Sequence, residues 1–194
     1  LLNSLDRMDA TVSNILDTTQ IDEGKLALEP QTVMLSPCIY EIVNSLETVA
    51  ENAGVKMEIA ADNRLTVYAD HLALTVVLRN LIANGIDAAA GVENATVTIK
   101  ANKADSKTVV EVSDNGRGFH STEGEKLFEK FYRLGNEIRR EGRGTGLGLY
   151  IARSLVAESG GELSAHSDGP GRGALFRATW PRIQQDGRPP KVRT

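Results

Sequence analysis

The chain has 194 residues, of which 41% are hydrophobic and 25% are charged, and its formal net charge is −4. This length and composition are ordinary for a soluble globular protein with one good core. The mild acidity, with no basic stripe to offset it, argues against nucleic acid as the main partner. Cys38 is the single cysteine, which excludes an internal disulfide framework and fits a reducing compartment.

The sequence predicts neither a membrane span nor a signal peptide. The longest apolar stretch, from Leu74 to Leu78, is broken by Thr75 and stopped by Arg79, well short of the ~20 apolar residues that a span needs. Because the first residue is Leu1 rather than methionine, we interpret the sequence as a fragment of a longer protein. The absence of a span here therefore does not constrain that protein.

The first stretch of the chain predicts a helix with an apolar seam, and Gly24 and Pro30 indicate where it ends. The seam predicts dimerisation, and the alternative is a helix that folds back on its own domain. We therefore divide the chain into a helical-bundle fragment (1–28), a main domain (29–183) and a flexible tail (184–194). The seam residues recur at alternating spacings of four and three: Leu1, Leu5, Met8, Val12, Ile15 and Thr19.

Strand and helix patterns alternate through the main domain without strict βαβ regularity. This order predicts a mixed sheet with helices packed on one face, that is, an α+β two-layer sandwich. Asp70 is the expected N-cap of the second helix of this domain. The first predicted helix has its apolar face from Ile39 to Ala50 and ends at Gly54, the second follows Asp70 and runs to about Ala90, and the third is Leu147–Glu158. The predicted strands are Gln31–Leu35, Val55–Ala60, Leu65–Tyr68, Ala95–Ala101, Thr108–Ser113, Glu162–His166 and Ala174–Trp180.

Common enzyme signatures are missing from the sequence. It has no P-loop, no dinucleotide-binding glycine fingerprint after a strand, no zinc-protease helix motif and no serine-hydrolase elbow. The three histidines, His71, His120 and His166, stand far apart without the spacing of metal ligands. We expect them to be surface residues.

The second predicted helix carries a polar stripe. Asn80 and Asn84 are one helical turn apart on one face, and Asp87 lies close to the same face. Two carboxamide oxygens on one stripe suit Mg²⁺, a hard cation that keeps most of its waters and is also held by phosphates. The alternative is a stripe that is simply solvated. The opposite side of the helix has the apolar residues expected to face the core: Leu74, Val77, Leu78 and Leu81.

Two glycine-bearing segments follow this helix. Asp114 ends a strand, where its carboxylate can accept a hydrogen bond from an exocyclic amine, and Gly116 and Gly118 let backbone approach a flat ring; the alternative is a plain Asp-Asn-Gly turn. The segment 142–149 leads directly into a helix, so its backbone N–H groups and the helix dipole predict a site for β- and γ-phosphates. A packing role for these glycines is the alternative.

Aromatic and basic residues alternate between the two glycine segments, in the stretch 127–133. The aromatic side chains are suited to anchoring a mobile loop, while Lys130 and Arg133 carry positive charge to a terminal phosphate. The alternative is an ordinary amphipathic turn that packs its phenylalanines on the core, and the two interpretations are compatible.

Taken in order with the final glycine segment, 171–176, these motifs resemble the N, G1, F, G2 and G3 boxes of sensor histidine kinases. The resemblance covers Gln31 to Pro181 and implies the Bergerat-type ATP-binding fold that these kinases share with gyrase-type ATPases. It implies that the leading helix is the second helix of a dimerisation and phosphoacceptor domain. The phosphoacceptor histidine is then upstream of Leu1 and absent from the sequence.

The resemblance also implies the role of each motif residue. It assigns Mg²⁺ binding to Asn84, adenine recognition to Asp114, γ-phosphate contacts to Lys130 and Arg133, and an ATP lid to residues 119–143. The full set of ATP-binding residues that it implies is Asn80, Asn84, Asp87, Asp114, Gly116, Gly118, Lys130, Tyr132, Arg133, Gly144, Thr145, Gly146, Leu147, Gly148 and Leu149.

The activity implied by the resemblance is transfer of the ATP γ-phosphate to the upstream histidine, with a cognate response regulator and a second copy of the full-length protein as partners. The domain is then cytoplasmic, either alone or as part of a membrane-bound sensor. Gyrase-like hydrolases have a glutamate where this chain has Asn80, and an amide cannot activate water as a base. The alternatives are an ATP-binding module without transfer activity and a gyrase-like ATPase.

Two positions depart from the resemblance. Asp87 stands where many histidine kinases have a lysine, so a phosphate contact from that position is lost. Ala174 replaces the usual threonine of the last box, which removes a polar contact near the adenine.

Overall fold

The computed structural model describes residues 27–134 and 145–181. The seam of the predicted leading helix, Gly144 and the predicted tail lie outside the described residues. The division at residues 28 and 183 therefore stays a prediction.

The described residues form seven strands and three α-helices. The helices are α1 (Leu35–Ala53), α2 (His71–Ala89) and α3 (Gly148–Glu158). The strands are β1 (Gln31–Met34), β2 (Lys56–Ala61), β3 (Thr66–Ala69), β4 (Thr96–Ala104), β5 (Lys107–Asp114), β6 (Glu162–His166) and β7 (Ala174–Pro181). Every element predicted in this region is present, with ends that differ by a few residues.

Five strands form the main sheet, in the order β2-β4-β5-β7-β6. β2 and β4 are parallel, and the other neighbouring pairs are antiparallel. β1 and β3 pair with each other as a separate two-stranded antiparallel sheet. The mixed sheet of the two-layer prediction is therefore confirmed, whereas the small second sheet is an addition that strand patterns alone did not predict.

All three helices pack on one face of the main sheet, as predicted. Alternation along the strands produces this arrangement, since successive side chains point to opposite faces. Val97, Ile99 and Ala101 of β4 are buried, while Lys100 between them is exposed. The core lies between this inner face and the helices, and Trp180 of β7 is its largest fully buried side chain.

The ends of the helices follow from local sequence. Gly54 adopts φ of 68°, a left-handed conformation that favours glycine, and ends α1. The Asp70 carboxylate accepts the N–H of Ala73 at 2.9 Å and that of Glu29 at 3.0 Å. Asp70 is therefore the N-cap of α2, as predicted, and the hydrogen bond from Ala73 is the main cause that lowers the pKa of its carboxyl.

Helix α2 is long and apolar enough, by length and composition alone, to cross a membrane. The prediction that no segment reaches that length was wrong, because it counted only an unbroken apolar run. Half of the relevant stretch is buried inside the fold, and Leu74, Val77, Leu78 and Leu81 are each at most 2% exposed. Core packing therefore accounts for the apolar composition of this helix.

Candidate functional site

The polar stripe of α2 faces the start of α3. The Asn80 side-chain amide donates from Nδ2 to the carbonyl oxygen of Val76 at 3.0 Å, and its Oδ1 lies against Gly148. A Cβ added to Gly148 would be 2.6 Å from that oxygen. Because glycine has no Cβ, Gly148 allows the first turn of α3 to approach Asn80 this closely.

Among the described residues, no side chain caps the N-terminus of α3 from its N-cap position. Leu147 occupies the N-cap position without a side-chain hydrogen bond, and the first turn contains no acidic residue. The hydroxyl oxygen of Thr145 accepts the N–H of Leu147 at 3.3 Å. The first N–H groups of a helix have no intrahelical partner and carry the positive end of its dipole, so this helix start beside Asn80 is suited to an anion.

At the other end of the stripe lies Asp114, the last residue of β5. Burial raises the pKa of its carboxyl above the ordinary value. The backbone N–H groups of Gly116 and Ala174 hydrogen-bond the carboxylate and oppose this shift, as does the charge of Arg117; the Gly116 contact is 2.8 Å. Asp114 is therefore a partly desolvated acceptor held in place by main-chain donors.

The turn after β5 is fixed against α2. A Cβ on Gly116 would overlap the carbonyl oxygen of Ala88, and the N–H of Arg117 donates to the same oxygen at 3.1 Å. The side chain of Asn115 bridges to Thr96 and Asn94 at 2.8 and 3.0 Å. The Asp114 carboxylate thus has a fixed position relative to the helix that carries Asn84.

Asp87 is paired within the protein. Its carboxylate lies 2.9 Å from the guanidinium of Arg117, and both side chains are partly exposed. An exposed pair of this kind contributes little stability. Asp87 therefore connects α2 to the turn after β5, a role that its acidic charge permits.

The described part of the predicted lid packs on α3. It contains two short 3₁₀ turns, Ser121–Glu123 and Lys126–Phe128. Phe128 is 4% exposed, and the Arg153 guanidinium lies 4.7 Å from its ring centroid and 2.8 Å from the carboxylate of Glu125. Phe131, by contrast, is 67% exposed, so only one of the two phenylalanines in the 127–133 stretch packs on the core.

The basic and aromatic residues after Phe128 also have partners. Lys130 Nζ lies 4.8 Å above the ring of Tyr150, in the first turn of α3. The Tyr132 hydroxyl donates to Glu123 Oε1 at 3.2 Å. Gly146 adopts φ of +73°, and its carbonyl oxygen accepts the N–H of Phe131 at 3.0 Å. The sequence did not predict this contact between the Lys130 ammonium group and the Tyr150 ring.

The structure thus brings the described site residues together in two groups. Asn80, Lys130 and the segment 145–149 surround the start of α3. Asp114, Gly116, Gly118 and Asp87 lie around the turn after β5, and Asn84 occupies the helical turn between the groups. Arg133 is exposed at the end of the described lid segment. Sequence reasoning missed Tyr150, Arg153 and Ser167, because none of them belongs to a motif. It also missed Arg117, which lies within the Asp114 glycine segment but was assigned no role there.

A cavity of about 710 Å³ lies on the opposite face of the sheet, where Glu111 and Arg177 form an ion pair of 2.6 Å. None of the predicted site residues lines this cavity. We place the candidate site on the helical face, because the half-buried Asp114 carboxylate and the start of α3 both lie there.

Residues 69–184 match a family model described as "Histidine kinase-, DNA gyrase B-, and HSP90-like ATPase". The chain belongs to this ATPase family. Its similar relatives include the circadian input-output histidine kinase CikA of Synechococcus elongatus, 32% identical over 85% of the chain and 22% of the relative. BarA of Escherichia coli, a signal transduction histidine-protein kinase, is 32% identical over 97% of the chain and 21% of the relative.

Solved structures of histidine kinases share the fold of this family member. The catalytic domain of ThkA has a TM-score of 0.68 and 26% identity, covering 79% of this chain and 96% of that one. Full-length ShkA in complex with AMPPNP has a TM-score of 0.79 and 23% identity, covering 92% and 36%. ThkA in complex with the response regulator protein TrrA has a TM-score of 0.71 and 25% identity, covering 96% and 50%.

These findings confirm the resemblance found in the sequence: the chain is an ATP-binding catalytic domain of the two-component sensor kinase type. It spans about a fifth of the length of CikA and BarA. The histidine kinase fold expected from the motifs is confirmed as well.

Proposed function

We propose that this site binds Mg·ATP and donates the γ-phosphate to a histidine on a helix that precedes the catalytic domain. The observation that carries the proposal is the position of Asn80, whose Oδ1 lies against Gly148 at the start of α3. A gyrase-like hydrolase requires a basic carboxylate at this position to activate water, and an amide cannot supply it. ATP would therefore persist until an imidazole reaches it.

Each group of site residues then has a part in binding. The Asp114 carboxylate accepts a hydrogen bond from the adenine amine, and the N-terminus of α3 receives the phosphates. Asn84 supplies an oxygen ligand to Mg²⁺, a cation that is also held by phosphates and waters. No cluster of three or more histidine, cysteine or acidic residues forms a metal site among the described residues, which is compatible with a cation held mainly by the nucleotide.

Phosphoryl transfer at this site would depend on positioning and charge. An imidazole nitrogen attacks the γ-phosphorus, the bond to the oxygen bridging the β- and γ-phosphates breaks, and ADP leaves with that electron pair. Lys130 and Arg133 are the residues that we expect to offset the charge of the transferred group. The protein contributes mainly alignment of the reacting groups, because an in-line transfer requires little covalent chemistry from its own side chains.

The proposed partners follow from this activity. The upstream helix supplies the acceptor, and a cognate response regulator would receive the phosphate in turn, as the complex of ThkA with TrrA suggests for a protein of this fold. We also propose that the parent protein is a homodimer through the predicted leading helix, and that the domain acts in the cytoplasm.

A transfer assay in trans tests the proposal. The chain, radiolabelled ATP and Mg²⁺ are mixed with a separately purified fragment of the parent protein that carries the upstream helix. We expect an acid-labile, alkali-stable label on a histidine of that fragment. Steady release of free phosphate would instead indicate a gyrase-like ATPase, and ATP binding without label would indicate a binding module; either result contradicts the proposal.

A further inference from the structure

Ser167 lies just after β6 and is only 6% exposed, yet its hydroxyl joins two segments around the candidate adenine site. Its Oγ accepts the N–H of Phe119 at 3.1 Å and the N–H of Gly169 at 3.2 Å. It lies 2.6 Å from the carbonyl oxygen of Gly173 and 3.2 Å from that of Gly169. A hydroxyl has one proton to donate, and the shorter contact assigns it to Gly173.

The bond to Gly173 acts on the adenine site through a single peptide unit. The carbonyl of Gly173 and the N–H of Ala174 belong to the same planar peptide group, so fixing one fixes the direction of the other. That Ala174 N–H is one of the two main-chain donors to the Asp114 carboxylate. Ser167 therefore orients a donor to Asp114 without touching Asp114 itself.

Glycine at position 173 makes this restraint necessary. Gly173 adopts φ of +70°, and a Cβ there would overlap the carbonyl oxygen of Asp114. Glycine has the widest choice of backbone conformation, so the orientation of the peptide that follows it must be fixed by hydrogen bonds from other residues. Its own N–H donates to the carbonyl of Gly116 at 3.0 Å, and the Ser167 hydroxyl holds its carbonyl.

The other contact of Ser167 reaches the beginning of the lid. Phe119, whose N–H it accepts, is 4% exposed and starts the predicted lid. Gly118 precedes it at φ of +56°, where a Cβ would be 2.8 Å from Ser167 Oγ. The base of the lid and the peptide that orients Asp114 thus share one hydroxyl.

We propose that Ser167 is a positioning residue for recognition of the adenine base, acting through the Gly173–Ala174 peptide on Asp114 and through Phe119 on the base of the lid. This inference rests on the proposed function, since it takes Asp114 to be the acceptor of the adenine amine. Among the described contacts, the side-chain hydroxyl that holds this peptide is that of Ser167.

The test compares Ser167→Ala with a matched control, Thr108→Val. Thr108 is also buried, at 3% exposed, and its hydroxyl donates to the carbonyl of Thr66 at 3.2 Å. It lies near the beginning of β5, whereas Asp114 is the last residue of that strand. Affinities for Mg·ATP and Mg·ITP are measured by calorimetry, together with the thermal midpoint of unfolding. ITP has a carbonyl where adenine has its amine, so the ratio of the two affinities reports how well Asp114 is placed.

We expect Ser167→Ala to lower the ATP-to-ITP affinity ratio by roughly fivefold to tenfold, the size of one lost hydrogen bond. Thr108→Val should lower the thermal midpoint but leave the ratio unchanged. A ratio in Ser167→Ala equal to that of the parent chain overturns the role of Ser167. Failure of the parent chain to bind ATP contradicts the proposed function instead, so the two failures are distinguishable.

A second measurement uses the unmodified chain and does not depend on the folding of a variant. Amide hydrogen exchange is recorded for Phe119 and Gly169 with saturating ATP and with saturating ITP. We expect ATP to slow both exchange rates more than ITP does, because a correctly seated base stabilises the peptide that Ser167 holds. Equal protection by the two nucleotides overturns the inference.

Discussion

The Asp114 carboxylate affects the stability of the fold and the binding of nucleotide in opposite directions. Burial raises the pKa of its carboxyl, which means that ionisation is less favourable in the folded chain than in the unfolded one. The stability from such a group is complete below its unfolded pKa and is lost as the pH rises through the higher folded pKa. Once ionised, Asp114 therefore destabilises the nucleotide-free fold relative to its protonated form, and binding of an amine donor would offset that cost.

Asp114→Asn should separate these two effects. We expect ATP affinity at pH 7 to fall at least tenfold, while the thermal midpoint stays equal to that of the parent or rises, because the desolvated charge is gone. In the parent, ATP affinity should decline as the pH falls through the raised pKa of Asp114. Calorimetry and thermal unfolding at several pH values measure both quantities, and undiminished ATP affinity in the variant would contradict adenine recognition by Asp114.

Asn84→Ala tests the proposed Mg²⁺ ligand. We expect loss of Mg²⁺-dependent ATP binding, with affinity reduced to the level measured in EDTA, because the variant lacks the side-chain oxygen. Asn44→Ala is the matched control, since Asn44 is an exposed asparagine of α1. The metal assignment is wrong if Asn84→Ala binds Mg·ATP as tightly as the control.

At the scale of elements, helix α3 contacts both the proposed phosphate site and the described part of the predicted lid. Its first turn lies against Asn80 and holds Lys130 above Tyr150, while Arg153 one turn later contacts Phe128 and Glu125. A movement of the lid would therefore be transmitted to the same helix whose N-terminus faces the proposed phosphate site. We expect order in the lid and order at that site to be coupled through α3.

Arg153→Ala should loosen the base of the lid without unfolding the domain. We expect trypsin to cleave after Lys126 and Lys130 several times faster, because the variant lacks the cation–π contact and the ion pair. The thermal midpoint should change little, since the Arg153 side chain is 43% exposed. Arg177→Ala, which breaks an ion pair with Glu111 on the opposite face of the sheet, should leave lid cleavage at the parental rate; equal rates in both variants would refute the coupling.

The sequence predicted the elements better than their pairing. Period-two and helical patterns, with Asp70 and Gly54 as local end signals, located the strands and helices because these depend on neighbouring residues. The parallel pairing of β2 with β4 and the separate β1–β3 sheet depend on long-range contacts and carry no local signal. For the same reason, the glycine motifs predicted an ATP site, whereas the roles of Ser167 and Arg117 appeared only when distant turns were placed together.

At the scale of the whole molecule, the candidate site is assembled from distant parts of the chain. The asparagine stripe, the end of β5, the start of α3 and the β6–β7 hairpin contribute to it, and all of them lie on the helical side of one sheet. The outer face of that sheet has no helix among the described residues and carries the Glu111–Arg177 pair instead. Binding should therefore depend on the intact sheet and not on any one segment.

Asp70→Ala tests how firmly the start of the domain is attached to α2. The carboxylate caps the helix and also accepts the N–H of Glu29. We expect the free energy of unfolding at pH 7 to fall by about 1 kcal/mol, measured by urea denaturation, with Asp168→Ala as an exposed control.

The difference should depend on pH in a defined direction. The folded pKa of Asp70 is lowered, so its stabilisation is present above the unfolded pKa and is lost as the pH falls through the folded value. Parent and variant should converge in stability in strong acid. A gap that persists there would assign the effect of Asp70 to packing rather than to its charge.

The apolar composition of α2 has a consequence during synthesis of the protein on the ribosome. When this helix emerges, β4 and β5, which cover its apolar side, have not yet been synthesised, and for that interval the chain exposes a helix that is long and apolar enough, by length and composition alone, to cross a membrane. Asn80, Asn84 and Asp87 lie on the opposite side of the helix, and such groups are costly to bury in lipid. The residues that we assign to nucleotide binding should therefore also oppose insertion of α2 into a membrane during synthesis.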